Sequence, residues 1–84
     1  MIHLNKGKPF PLGSSLTSQG VNFSLIATNA EYVEILLFEN EDSFSPKSIF
    51  KLDQTHNKVP YWHAEIKNLD KGCIYAFRVN QKSN

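Results

Sequence analysis

Three kinds of side chain in this sequence could do chemistry: closely spaced carboxylates, histidines and flat aromatic rings. Close carboxylate pairs include Glu31/Glu34 and Glu39/Glu41. Such a pair could cleave a glycosidic bond if one group held a proton while the other stayed ionised. Here they fall on a strand's start and in an acidic turn, which favours plain solvated surface. His3, His56 and His63 are scattered and, with the single Cys73, give no metal-ligand spacing; no metal or other cofactor is expected. The glycines at 7, 13, 20 and 72 are spread among turns and make no phosphate loop. No serine sits in a nucleophile elbow. No catalytic residue is therefore expected in this chain.

The rings remain. An exposed aromatic face can stack on a sugar, with nearby amides supplying hydrogen bonds. Trp62 falls by alternation on the face shared with Ala64 and Ile66, which assigns it to the core. Tyr61 and His63 fall on the opposite face and are the better exposed candidates, with Asn57 as a nearby amide. Tyr32 opens a strand, and Phe44 stands in a polar loop where an apolar ring needs an explanation.

The elements that must position these residues are strands. Residues 20–27 alternate cleanly, Val21, Phe23, Leu25 and Ala27 against Asn22, Ser24, Ile26 and Thr28. Residues 31–39 carry β-branched and aromatic residues in excess of good helix formers, so strand is preferred to helix. The second half of that run is apolar on both faces. It is expected to lie centrally, its end covered from outside the main core. Residues 48–52 make a short strand, 53–59 a polar stretch with a His-Asn-Lys turn, 60–67 a further alternating strand, and 73–80 the last. The prolines at 9 and 11 confine that segment to an edge strand or an extended lead-in, and residues 14–20 form a polar connector.

Between the last two strands, Leu69, Gly72 and Tyr75 have the spacing of a tyrosine corner, where a sandwich chain crosses from one sheet to the other. Gly72 is expected to supply the sharp turn. Tyr75 is expected to bury its ring and return its hydroxyl to the backbone upstream. The sum is an all-β antiparallel sandwich of six to seven strands, with a flexible lead-in at 1–8, a sandwich at 9–80 and a tail at 81–84.

Bulk properties agree. A chain of 84 residues makes one small domain, burying only about 60–65% of the surface its unfolded form exposes. A formal net charge of +1, with both signs mixed along the chain, is not the footprint of a nucleic-acid binder. No apolar run approaches the roughly 20 residues of a membrane span. A lone cysteine excludes an internal disulfide, and the start lacks a signal-peptide core, so a cytoplasmic location is expected.

The residues also resemble a family. Gly7-Lys8-Pro9-Phe10-Pro11-Leu12-Gly13-Ser14, then residues 20–25 and 29–38, then Tyr61-Trp62-His63 and 69–79, are together similar to the isoamylase N-terminal domain, grouped as carbohydrate-binding module family 48. The resemblance implies an immunoglobulin-like (early-set) sandwich that precedes a catalytic barrel in glycogen debranching enzymes, isoamylases and branching enzymes. Hydrolysis of α-1,6 branches would belong to that barrel. Where the family passes a glycine-proline turn after the last strand, this chain has residues 80–84, which suggests an excised fragment or a stand-alone remnant. Members that hold glycogen firmly carry a tryptophan in the loop corresponding to residues 38–45, and this loop has none. Docking on the barrel is accordingly expected ahead of direct α-glucan binding, through a patch involving Ile26, Leu36 and Phe44. A branching-enzyme parent is the other alternative.

Overall fold

Alternation of apolar and polar residues lets a strand bury one face, and two sheets built that way can share a core. The computed structural model describes residues 4–52, 57–58, 60–69 and 72–81. Among them are strands β1 (Leu4–Asn5), β2 (Gly13–Leu16), β3 (Gly20–Ile26), β4 (Ala30–Phe38), β5 (Ser48–Leu52), β6 (Asn57–Lys58), β7 (Tyr61–Lys67) and β8 (Ile74–Gln81). The first sheet has the order β1-β7-β3-β2, with β6 also paired to β7; the second has the order β5-β4-β8. Every pairing is antiparallel, giving the expected immunoglobulin-like sandwich.

The inner residues of both sheets meet in a core of Val21, Phe23, Ala30, Val33, Ile35, Leu37, Leu52, Trp62, Ala64 and Ile66. Trp62 belongs to it, and its indole Nε1 donates to the Ala27 carbonyl at 3.1 Å. That satisfies the polar end of a large buried ring. Leu69, Tyr75 and Phe77 pack against the core from β8 and its approach. Tyr75 stands edge-on to Phe23 at 4.9 Å and to Phe77 at 5.5 Å. β4 is the central strand of its sheet, as its doubly apolar second half suggested.

The turn after β7 does carry the chain from one sheet to the other. Its mechanics differ from expectation. Gly72 lies outside the left-handed region, and a Cβ there would meet nothing within 4 Å. The left-handed residue is Asn68, at φ 63°, a conformation asparagine tolerates better than most side chains. Its backbone N–H donates to the Gln19 carbonyl at 2.8 Å, tying this turn to the one before β3. Residues 70 and 71 of this turn lie outside the described residues, as do His3 and His56.

Other boundaries move as well. The sandwich begins with β1, inside the segment expected to be a loose lead-in. Leu4 and Asn5 pair with Ile66 and Glu65, occupying the side of β7 that β3 leaves open. The polar connector yields β2, the edge strand paired to β3. Asn57 and Lys58, expected in a turn, pair with Trp62 and Tyr61. β8 runs to Gln81, one residue into the expected tail.

Close approach places a different glycine under constraint. A Cβ on Gly20 would run into the Ile66 carbonyl and come within 2.8 Å of the Lys67 Cα. Gly20→Ala should lower the free energy of urea unfolding by more than about 2 kcal/mol. Gly72→Ala should leave it unchanged or raise it by about 0.4–1 kcal/mol by restricting the unfolded chain. The reverse order would restore Gly72 as the essential turn residue.

Candidate functional site

The outer face of the larger sheet carries Asn22, Ser24 and Ile26 from β3 beside Glu65, His63 and Tyr61 from β7, in register as cross-strand pairs. An outward-facing row would ordinarily be wet. Instead Asn22, Ser24 and His63 are buried, His63 being only 8% exposed. Residues 6–11 lie across them as a strap. The Asn22 side-chain oxygen accepts the Lys8 backbone N–H at 2.8 Å, and its amide donates back to the Lys8 carbonyl at 2.9 Å. Ser24 Oγ donates to the Pro9 carbonyl at 2.6 Å, and His63 Nδ1 lies 2.7 Å from the Lys6 carbonyl. A carbonyl only accepts, so that ring nitrogen carries the hydrogen.

Gly7 makes the close approach possible. Its φ is +69°, and a Cβ would collide with Asn22 Oδ1 and lie 2.6 Å from the Ala64 carbonyl carbon. Any other residue would lift the strap off the sheet. So held, the strap delivers Phe10 edge-on to Tyr61, ring centroids 4.9 Å apart. Phe10 remains 60% exposed, and Ile26, opposite Tyr61, is 51% exposed. The three form an apolar ledge, and Leu12, two residues past Phe10, is also more than half exposed.

Beside the ledge, between the strap and the β2–β3 turn, runs a groove of about 600 Å³. Phe10 and Lys8 line one wall, Ser15 and Ser18 the other, with Asn22 and Glu65 among the remaining lining. The turn is built by Thr17, whose hydroxyl accepts the Gly20 N–H at 2.9 Å. Asn5 Nδ2 donates to Glu65 Oε1 at 3.2 Å, and Thr17 lines the groove with that carboxylate. Hydrogen-bonding side chains, Thr17 first and then Asn5, hold the Glu65 carboxyl below its ordinary value. Lys67 and Lys8 add a smaller pull in the same direction.

The comparisons with known proteins decide the family. The sequence profile of Carbohydrate-binding module 48 (Isoamylase N-terminal domain) matches residues 11–84. The chain belongs to this family. Among relatives of family 48, the glycogen debranching enzyme of Pectobacterium carotovorum subsp. carotovorum (strain PC1) is 36% identical over 80 residues, which is 95% of this chain and 11% of that protein. The glycogen debranching enzyme of Enterobacter sp. (strain 638) is 35% identical over 80 residues, again 95% and 11%. The glycogen operon protein GlgX homolog of Mycobacterium tuberculosis (strain CDC 1551 / Oshkosh) is 36% identical over 74 residues, 88% of this chain and 10% of that protein. The chain thus spans about a tenth of the length of the curated relatives it matches.

Within this family 48 fold, the residues singled out from sequence disperse. Tyr61 stands on the ledge. His63, expected on an exposed face, is buried, because the chain's own strap covers that face. Tyr32 is on the outer face of the other sheet, with Lys51 Nζ 4.1 Å over its ring and its hydroxyl accepting from Asn80 at 2.9 Å. That ring face is already covered. Asn57 lies in β6, opposite Trp62, and its side chain is outside the described part. Phe44 is fully exposed on a loop closed by Asn40 and Ser43.

The expected docking patch of Ile26, Leu36 and Phe44 is not one surface. Ile26 ends β3, just before β4 begins, whereas the Phe44 loop leaves the far end of β4. Nine residues of strand separate the two ends by about 30 Å. Leu36 faces outward from the second sheet yet is buried between its cross-strand neighbours Ile49 and Ala76. Sequence reasoning missed Phe10, Asn22, Ser24 and Glu65. Short polar residues on an alternating face, where lysine or glutamate would normally stand, were the available signal.

Asn22→Ala removes both bonds to Lys8 and leaves backbone groups stranded. It should cost about 1–3 kcal/mol in urea unfolding. A cost below a few tenths would show the strap to be loosely held. A depressed carboxyl pKa stabilises the fold above the unfolded value and loses that contribution as pH falls through the folded one. Glu65 should therefore contribute stability above pH 4.5 that declines below it. Glu65→Gln should show a smaller drop in thermal midpoint on acidification than the unsubstituted chain.

Proposed function

We propose that this chain is a non-catalytic domain of a glycogen debranching enzyme that packs on the catalytic barrel and helps to shape substrate access. The observation that carries the reading is the ledge of Phe10, Ile26 and Tyr61. Rings and aliphatic side chains left half in water cost free energy unless a partner covers them. Here Phe10 is held by a strap bonded to Asn22 and Ser24, and Ile26 and Tyr61 stand on the sheet beside it. Two of the relatives named above are glycogen debranching enzymes in which the matched segment makes up 11% of the chain, so a large covalent partner is at hand. Among the described residues no cluster of His, Cys, Asp or Glu could hold a metal ion, and Glu65 is the one carboxylate lining the groove beside the ledge. The hydrolytic chemistry is assigned to the barrel.

The test is a graft. This chain would replace the matching segment of the Pectobacterium carotovorum debranching enzyme, and α-1,6 hydrolysis and thermal midpoint would be measured with and without Ile26→Asp. Ile26 is 51% exposed, so the substitution should change the lone chain's unfolding free energy by no more than about 0.5 kcal/mol and its midpoint little. In the graft it should lower the midpoint and the activity together, because a charge would be buried at the domain contact. Equal, small effects in both settings would show that the ledge does not face the barrel.

A further inference from the structure

We propose that the edge of β8 facing away from β4 takes one further β-strand, an extended segment of the parent polypeptide. The proposal rests on the reading of this chain as one domain of a larger enzyme, and it uses a surface apart from the ledge. Its basis is a mismatch between the two layers. The larger sheet ends in β2 and the smaller one in β8, and among the described residues nothing pairs with that outer side of β8. Both strands border one flank of the sandwich, since a Cβ on Gly13 would lie 3.9 Å from the Tyr75 hydroxyl. Leu16 pairs with Val21 and Ser14 with Phe23, so both turn toward the core side of the sheet. Yet Leu16 is 63% exposed, and Ser14 is exposed as well. A hollow of about 190 Å³ lies along them. On β8 the inward residues Tyr75 and Phe77 are only half-buried, and Val79 is 38% exposed. β2 thus overhangs a place in the smaller sheet that no described strand fills.

The edge itself suits a partner strand. An unpaired edge exposes a row of N–H and C=O groups, and sheets ordinarily guard it with short strands, lysines, prolines or bulges. β5 has five residues with Lys51 among them, and β2 has four. β8 has eight, without lysine or proline. It pairs from Ile74 to Asn80 without a bulge, the register shift falling at its end. Its charged residue, Arg78, is bonded to Glu34 at 2.7 Å. A strand laid beside β8 would find backbone partners along it and apolar cover beneath β2. The fitting segment has apolar residues at every second position and no charge on that face. A second copy does not fit, because pairing two β8 edges about a two-fold axis would bring the two overhanging β2 strands onto each other. About nine-tenths of each debranching relative lies outside the matched segment, so a strand is available on the same polypeptide. Consecutive strands usually lie side by side, which makes the stretch next after β8 the source.

The experiment extends this chain by the stretch that directly follows the matched segment in the Pectobacterium carotovorum debranching enzyme. Amide exchange and cross-strand contacts are read by NMR on the isotope-labelled, extended chain. The expected result is a strand antiparallel to β8, with the β8 amides that point away from β4 exchanging at least about tenfold more slowly. Leu16→Lys sets a charge beneath the added strand and should remove most of that protection. In the unextended chain the same substitution should leave exchange in β3 and β4 unchanged, because Leu16 is mostly in solvent. Unaltered β8 exchange, contacts of the added stretch with another element, or protection indifferent to Leu16→Lys would each overturn the proposal. So would protection of those β8 amides by self-association of the unextended chain, which would give the edge to a second copy. The ledge is untouched by these changes, so failure here with the expected outcome of the Ile26→Asp graft leaves the docking role standing.

Discussion

A peptide segment laid across the face of a β-sheet meets no ladder of backbone partners, because the sheet's own N–H and C=O groups point sideways to neighbouring strands. Its polar groups must be met by side chains or they lose water without compensation. In this protein Asn22 meets that demand. Its primary amide offers one acceptor and one donor, and it engages both backbone groups of Lys8. Ser24 and His63 repeat the device at Pro9 and Lys6. No buried side-chain nitrogen or oxygen among the described residues is left without a partner. The strap is thus part of the folded structure, and the ledge proposed to act takes its Phe10 ring from it.

The sandwich divides labour between its sheets. The β5-β4-β8 sheet is finished on its outer side by pairing within the chain: Arg78 bonds Glu34 at 2.7 Å, Lys51 covers Tyr32, and Leu36 lies between neighbours. The larger sheet is finished by the strap, which replaces a solvated polar face with a partly apolar one. A small domain can spare little core. Building a contact surface from a strap across an outer face leaves the core intact.

The architecture was legible because alternation is a strong signal. Val21, Phe23 and Leu25 on one strand, and Trp62, Ala64 and Ile66 on another, state their inner face without ambiguity, and all three cross-strand pairs are in register. The family was legible from ordered short motifs. What period two cannot reveal is what covers the other face. His63 was assigned to solvent because it alternates with Trp62; the same pattern holds for a face covered by the chain itself. Gly72 invited a conformational role by its type, while Asn68, equally visible, took it. The patch of Ile26, Leu36 and Phe44 failed for a topological reason, since hydrophobicity along a sequence does not say which end or which sheet a residue will occupy.

Amide hydrogen exchange at Lys8 tests the clamp most directly, since that N–H is held by Asn22 and by no strand ladder. If the strap belongs to the cooperative fold, Lys8 should exchange about as slowly as the amides of β3, by global unfolding. Exchange near the rate of an unstructured peptide would mean that the strap opens independently, and that neither the ledge nor the groove is a fixed surface.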